Sequence, residues 1–322
     1  MKKWHELDVR PEFASERGRY EDLDYAVGKL FAVHQERFFQ KLHDDYSHFE
    51  IVRLDQFIDN VSSRPRCISM SCDGNTGFIG VLGSGSPAKS RILRTTDGGI
   101  TWHDVSPPSN VGPIEGVCGI HTSDGITIWA AGSYHDGASN SGVIISTDGG
   151  ETWCQTLRCQ SAVDIWFNEN GEGLVVGRDE DWPALWVSFD KGENWVKHLL
   201  DDDKYLEMGI GWKIFNYRDQ ELLVSISAGE RGPRSGMYVN SALRTGWTGV
   251  SVDTTQPNLH GIGRDETSVW LGRKGVSMIE SADRKNWTEA MSASNFNMTD
   301  INRILLTEDG YYAAGDHLYV LR

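Results

Sequence analysis

Thr95-Thr96-Asp97-Gly98-Gly99-Ile100-Thr101-Trp102 returns as Ser146-Thr147-Asp148-Gly149-Gly150-Glu151-Thr152-Trp153, and again as Ser188-Phe189-Asp190-Lys191-Gly192-Glu193-Asn194-Trp195. All three read S/T-x-D-x-G-x-x-W, a pattern that residue frequencies produce in roughly one chain in a hundred of this length. Two shortened copies follow. Ser281-Ala282-Asp283-Arg284-Lys285-Asn286-Trp287 keeps Ser281, Asp283 and Trp287, whereas Ser241 to Trp247 has lost the Asp as well. The tryptophans at 102, 153, 195, 247 and 287 stand 51, 42, 52 and 40 residues apart. An interval of about 40–50 residues is that of a four-stranded sheet module repeated along a chain.

The chemistry of the repeat is structural. Each full copy follows an apolar-rich strand (Arg91-Ile92-Leu93-Arg94, Val143-Ile144-Ile145, Leu185-Trp186-Val187) and leads into another that begins at the Trp. Between them the chain must reverse. Gly99, Gly150 and Gly192 supply the positive φ of such a turn, while Asp97, Asp148 and Asp190 accept turn amide hydrogens beside Thr95, Ser146 and Ser188. Trp102, Trp153 and Trp195 then bury a large ring next to the turn. One carboxylate per turn is too few for a calcium loop, so neither metal nor cofactor is expected. These copies resemble the Asp-box, or BNR, repeats of sialidase-like β-propellers, in which the box marks the hairpin between the third and fourth strand of a blade. The resemblance covers residues about 66–322. It implies an all-β propeller, an architecture that hosts unrelated activities.

With the box as ruler the sequence predicts six blades, seven being the nearest rival count. The C-terminal stretch offers three strands only: Ile301 to Leu306, Tyr311 to Gly315 and Leu318 to Leu321. An open edge there is expected to be closed from the N-terminal side, with residues 49–58, centred on Ile51-Val52-Arg53-Leu54-Asp55-Gln56-Phe57, supplying the missing outer strand. Residues 49–322 thus read as the propeller and 1–48 as a separate N-terminal segment. From Glu16 to Tyr46, apolar side chains at Tyr20, Leu23, Val27, Leu30, Phe31, Phe38 and Leu42 predict an amphipathic helix. His43 and His48, flanking Asp44-Asp45, read as its solvated end rather than a metal site.

The net charge is −15 over 322 residues. Such a field repels nucleic acid and anionic membrane and favours a basic protein partner. Met1-Lys2-Lys3-Trp4-His5-Glu6 leads into charged sequence without an apolar core, so no secretory leader is expected, and no apolar run reaches the length of a membrane span. Cys67, Cys72, Cys118, Cys154 and Cys159 are odd in number, and their C-x₄-C spacing along strands places the pairs too far apart for a disulfide. Free thiols in a reducing cytoplasm are the expectation.

Catalysis is harder to find. The sialidases are marked by a Phe-Arg-Ile-Pro motif ahead of the first box, two further arginines, an acid and a Tyr-Glu pair. Ser63-Arg64-Pro65-Arg66 does not match, so no catalytic residue carries across. A glycoside hydrolase or glycan-binding propeller stays as the alternative, because two carboxylates need only lie about 5–10 Å apart in space. What remains is surface. Asp179-Glu180-Asp181-Trp182, with Trp186 nearby, lies in the hairpin ahead of the third box, and Asp201-Asp202-Asp203 follows that module's last strand. Acid interleaved with aromatic anchors predicts partner contact. In size the chain is similar to assembly factors such as the photosystem II assembly and stability factor family, without that family's signal sequence or a matching Arg patch. The reading is therefore a non-catalytic, acidic, cytoplasmic binding propeller, in its sharpest form a bacterial immunity protein that neutralises a basic toxin.

Overall fold

The computed structural model describes residues 3–322 except 16–17, 44–45, 47, 59–62, 84–89, 109, 112–115, 133–140, 200–208, 229–234, 241–242, 244–245, 253–258, 274–275 and 291–299. Among the described residues every regular element is a β-strand, apart from one 3-10 turn at Asp55–Phe57. The strands form seven four-stranded sheets, six of them meanders of four consecutive strands. Blade 1 is Tyr20–Ala26, Lys29–His34, Phe38–Leu42 and Phe49–Arg53; blade 2 is Arg64–Met70, Gly77–Leu82, Arg91–Thr95 and His103–Asp104. Blade 3 is Val117–His121, Ile128–Gly132, Gly142–Ser146 and Cys154–Arg158; blade 4 is Ser161–Phe167, Gly173–Asp179, Trp182–Ser188 and Val196–Leu199. Blade 5 is Gly209–Tyr217, Glu221–Ala228, Ser235–Asn240 and Thr248–Val252; blade 6 is Leu259–Arg264, Val269–Arg273, Val276–Ser281 and Thr288–Glu289. Blade 7 takes Ile301–Thr307, Gly310–Gly315 and Leu318–Leu321 and is completed by Trp4–Leu7.

Two expectations fall here. There are seven blades, not six, and the seventh module is the stretch read as a helix. Leu30-Phe31-Ala32-Val33 is a buried run flanked by two turns, Val27-Gly28 at φ 47° and 76° and Arg37 at φ 64°. A strand covered on both faces carries apolar residues consecutively, and this run together with the apolar side chains of the strands on either side of it mimics a helical stripe. The closing strand is also elsewhere. Phe49–Arg53 pairs with Phe38–Leu42 inside its own blade, whereas Trp4 to Leu7 pair with Leu321 to Leu318. The expected closure from the N-terminal side is made, by a segment some 45 residues earlier in the chain.

The described chain falls into two compact units. In the N-terminal unit, Val9–Val175 with Ser188–Val196, the first strands of blades 1, 2 and 3 lie side by side. Phe31, Val33, Phe39, Ile79, Leu93 and Trp102 form one core there, and Cys67, Phe78, Ile92, Val117 and Ile144 another. The inner edge of each first strand would leave amides bare, a cost that side chains of the preceding blade remove. Asp22 and Asp24 accept from the Ile68 and Met70 amides at 3.3 and 2.6 Å, and Ser69 Oγ accepts from Thr122 at 3.1 Å.

The C-terminal unit comprises Met1–Asp8, Val176–Val187 and Lys197–Arg322. Its core gathers Phe215, Leu223, Met237, Leu271, Tyr311 and Tyr319 around Trp270, against which Trp4 packs edge-on at 5.7 Å. Lys3 and Arg322 exchange backbone hydrogen bonds of 2.6 and 2.9 Å.

Candidate functional site

The boxes behave as the repeat predicts. Asp97 Oδ1 accepts from Thr95 Oγ1 at 2.8 Å and from the Thr101 amide at 2.9 Å, while Oδ2 takes the Thr101 hydroxyl at 2.6 Å. The Gly99 amide donates to Thr95 Oγ1 at 2.9 Å, and Trp102 Nε1 to the Gly99 carbonyl at 3.1 Å. Asp148 with Ser146, Gly150 and Thr152 repeats the set, as does Asp190 with Ser188, Gly192 and Asn194. Trp153 Nε1 donates likewise to the Gly150 carbonyl at 3.1 Å and also across blades to the Val105 carbonyl at 2.9 Å, while Trp195 reaches across to Thr156 Oγ1 at 3.2 Å. In the shortened copy, Asp283 still holds Ser281 and the Lys285 and Asn286 amides, beside a half-buried Trp287. Ser241, of the other shortened copy, lies outside the described residues.

Each carboxylate therefore spends its lone pairs on its own turn, through donors that carry no charge. Bonds from Thr101 hold the Asp97 carboxyl down at about 2, and bonds from Thr152 hold Asp148 at about 2. Bonds from Asn194 lower Asp190 in the same way. The charge survives the structural role.

That charge gathers at one end of the N-terminal unit. Box amides bond the first-to-second-strand turn of the same blade: Gly98 to Asn75, Gly149 to Ile126 and Lys191 to Gly171. Neighbouring turns adjoin in their turn, Cys72 donating to Ser123. These turns and boxes of blades 2–4 carry Asp73, Asp97, Asp124, Asp148, Glu151, Glu169, Glu172, Asp190 and Glu193 against Lys191. Arg94 reaches in from its strand to lie against Gly149, and Lys41 Nζ donates to the Gly98 carbonyl at 3.4 Å. The same end exposes apolar side chains: Ile100 at 62%, Ile126 at 56%, Val27 at 54% and Phe189 at 40%.

The loop singled out from sequence is different. Asp179 ends a strand, Glu180 and Asp181 form the hairpin turn at φ 51° and 68°, and Trp182 opens the next strand. Lys197 Nζ pairs with Asp179 at 3.0 Å and Glu180 at 2.9 Å, and Arg178 pairs with Asp181 at 2.5 Å. The acid run is largely cancelled. Trp186, only 2% exposed, is core and offers no contact, which corrects its place among the anchors; Trp182 is half-buried. Asp201, Asp202 and Asp203 lie outside the described residues.

Sequence reasoning missed a second feature. The first strands of blades 1, 2, 3, 5, 6 and 7 share a register shift near their start. One extra residue bulges from each ladder: Glu21, Arg66, Cys118, Trp212, His260 (with Gly261) and Asn302. Within each unit consecutive bulge residues meet. In the N-terminal unit, Glu21 binds Arg66 and also Arg64, at 3.2 Å. Burial works against the Arg66 charge, but Glu21 outweighs it and raises the guanidinium above its ordinary value. In the C-terminal unit, Trp212 stacks on His260 at 4.5 Å and 13°, and His260 Nδ1 lies 3.4 Å from Asn302 Oδ1. Ser225 Oγ, bonded by the Lys213 amide, donates to the His260 carbonyl at 2.7 Å and fixes the stack. Polar residues such as Arg66 inside otherwise apolar strands were the one available signal.

The cysteines carry no disulfide: Cys67 and Cys118 are buried thiols, Cys72 and Cys154 exposed ones, with Cys159 between. Among the described residues, no helix is long and apolar enough to cross a membrane.

Known proteins agree with this architecture. Residues 93–104 match the BNR/Asp-box repeat. The VPS10 domain-containing receptor SorCS3 of Mus musculus is 34% identical over 99 residues, 26% of this chain and 8% of that receptor. The chain thus spans under a tenth of the curated relatives it matches. YCF48 from Cyanidioschyzon merolae superposes with a TM-score of 0.67 at 15% identity, covering 98% of both chains. YCF48 bound to D1 peptide gives 0.66 at 14%, covering 99% of this chain and 96% of that one. The GH74 xyloglucanase from Xanthomonas campestris gives 0.70 at 10%, over 98% of this chain and 53% of that enzyme. The propeller fold therefore serves both binders and enzymes. Boxes, blades and likenesses converge: the chain is a seven-bladed β-propeller that carries a BNR/Asp-box repeat at residues 93–104, with two further copies of the same pattern at 146–153 and 188–195.

Proposed function

We propose that this chain is a non-catalytic, cytoplasmic binding propeller for a basic protein partner, and in its sharpest form a bacterial immunity protein that neutralises a basic toxin domain. The observation that carries the reading is the box end of the N-terminal unit, where nine turn carboxylates face one turn lysine among four exposed apolar side chains. Carboxylates bonded by neutral donors keep a full negative charge at any working pH, so this surface attracts cations over a distance, and the apolar side chains hold what arrives. A YCF48 structure bound to a peptide supports the fold's suitability for such a task. Free thiols at Cys72 and Cys154 suit a reducing compartment.

The test reverses charge without touching a cap. Glu151, Glu169 and Glu193 are exposed, and the turns are held by Asp148, Asn168 and Asp190 instead. The triple variant Glu151→Lys, Glu169→Lys, Glu193→Lys is expected to keep the wild-type melting curve. It should slow association with a captured basic domain by about 10–100-fold at low salt. Unchanged association, or turnover of chromogenic glycosides by the wild type, refutes the proposal. For the immunity role, co-expression must restore growth to cells making the toxin; growth arrest despite a soluble propeller rejects that form alone.

A further inference from the structure

Across the N-terminal unit, side chains of one blade reach over to the box of the next. Lys41 of blade 1 donates through Nζ to the Gly98 carbonyl of the blade 2 box at 3.4 Å, and Trp129 of blade 3 donates through Nε1 to the Lys191 carbonyl of the blade 4 box at 2.7 Å. Between these two crossings, Arg94 of blade 2 reaches the blade 3 box without such a bond. Its Nη1, Cζ and Nη2 lie 2.8, 2.9 and 3.0 Å from where a Cβ on Gly149 would stand, so the guanidinium rests on bare backbone that only glycine leaves open. Nε is buried and has no acceptor, and among the described residues no carboxylate pairs with the guanidinium. Leaving such a donor unmatched costs free energy, which an acceptor arriving at the guanidinium would offset in part. The ground around it is open. Arg94 is itself half-buried, its cross-strand neighbour His103 is exposed, and so are Thr147 and Glu151 on either side of Gly149. The Gly149 amide bonds the carbonyl of Ile126, whose side chain is 56% exposed.

We infer that Arg94, resting on Gly149, is the seat for an acidic side chain carried inside a basic segment of the partner. This deepens the proposed function and rests on it. The carboxylates of the box end draw in any cationic surface, so they supply attraction without selection. A fixed cation among them supplies the selection. An all-basic segment meets repulsion at Arg94, whereas a segment with one carboxylate there gains a charge-assisted, two-pronged contact. The acids lie on both sides of this point, Asp73 and Asp97 in blade 2, Asp148 and Glu151 in blade 3. A segment that meets both groups carries its acid in its interior, with basic residues before and after it. Lys41 offers no such seat, because its Nζ is a point charge already shared between the Gly98 carbonyl and Glu50. Contact with Gly149 holds the guanidinium before the partner arrives, so binding orders little of it.

The probes are two peptides with blocked ends, lysines flanking a central glutamate in one and a central glutamine in the other, titrated calorimetrically into the full chain. Wild type is expected to bind the glutamate peptide at least as tightly as its twin, although that peptide carries less positive charge. Arg94→Gln should weaken the glutamate peptide by about tenfold, as loss of a charge-assisted hydrogen bond does, and should leave the glutamine peptide no weaker. Arg94→Lys, which keeps the charge and lacks the fork, should recover part of the loss. If Arg94→Gln fails to fold, Arg94→Lys carries the test, and its preference for the glutamate peptide should fall severalfold below that of wild type. The same ratio of the two affinities in wild type and in the folded variants overturns the inference. A wild type that binds the glutamine peptide and rejects the glutamate one overturns it too, and leaves the basic-partner reading standing. A wild type that binds neither peptide sinks both.

Discussion

The hairpin Asp179–Trp182 and the box end of blades 2–4 are both rich in loop carboxylates, yet only one of them presents charge. In the hairpin three acids meet Lys197 and Arg178 and are largely cancelled. At the boxes they meet hydroxyls and amides, which bond both oxygens and leave the charge in place. The lesson is that what neutralises a carboxylate decides whether it can recruit a partner; its hydrogen-bond count does not. Exposed ion pairs contribute little to stability, whereas saturated caps hold turns and colour the surface at once.

The largest expected effect breaks the box end itself. Gly99 sits at φ 92°, and a Cβ there would stand 2.3 Å from the Phe39 ring of the neighbouring blade. Gly99→Ala is therefore expected to cost about 3 kcal/mol in urea denaturation. Glu180→Gln in the hairpin, by contrast, should change stability by no more than about 0.5 kcal/mol. A destabilisation of Gly99→Ala within that smaller range would remove the structural half of the comparison.

Acid separates the regions next. The Asp97 carboxyl lies near 2 folded and 3.8 unfolded, so its contribution is complete above pH 3.8 and is lost as pH falls through 2. His34 is buried between Tyr20 and Phe38, and its Nδ1 accepts from the Glu36 amide at 3.1 Å. Burial, with Arg10 nearby, drives it from 6.5 to about 3. Its neutral form is the one that fits. Stability is complete above pH 6.5 and declines steadily as pH falls toward 3. Blade 1 is thus expected to loosen between pH 6 and 4 while the boxes hold, as hydrogen exchange resolved by segment would report. His34→Phe should flatten the decline; simultaneous loss of both regions contradicts the assignment.

The smallest effect sharpens the comparison. Lys197→Met uncouples Asp179 and Glu180 and should speed capture of a basic domain by no more than about threefold in stopped flow, because rim charges act mainly on encounter rate. A larger gain would move the recruiting surface to the hairpin.

The boxes were legible because they are local: Ser/Thr, Asp, Gly and Trp interact within eight residues, so spacing alone reveals the turn. Blade 1 was hidden for the opposite reason. Leu30-Phe31-Ala32-Val33 owes its strand to neighbours on both faces, and no box marks its hairpin. The pairing that disarms the hairpin acids joins Asp179 to a lysine 18 residues away, and the bulges are offsets between strands rather than residue patterns. Neither leaves a mark in a linear reading. Trp186 misled because an aromatic beside acid looks like an anchor, while its strand is buried on both faces and carries it into the core.

The exchange of backbone bonds between Lys3 and Arg322 has a mechanical side. Trp4 to Leu7 run antiparallel to Leu318 to Leu321, so a tether at residue 3 and another at residue 322 start from the same point of the sheet. Tension between them loads these bonds singly, opening them like a zipper rather than shearing four at once. Pulled by those two points, the protein is soft: a few rungs give way before any other strand feels the force.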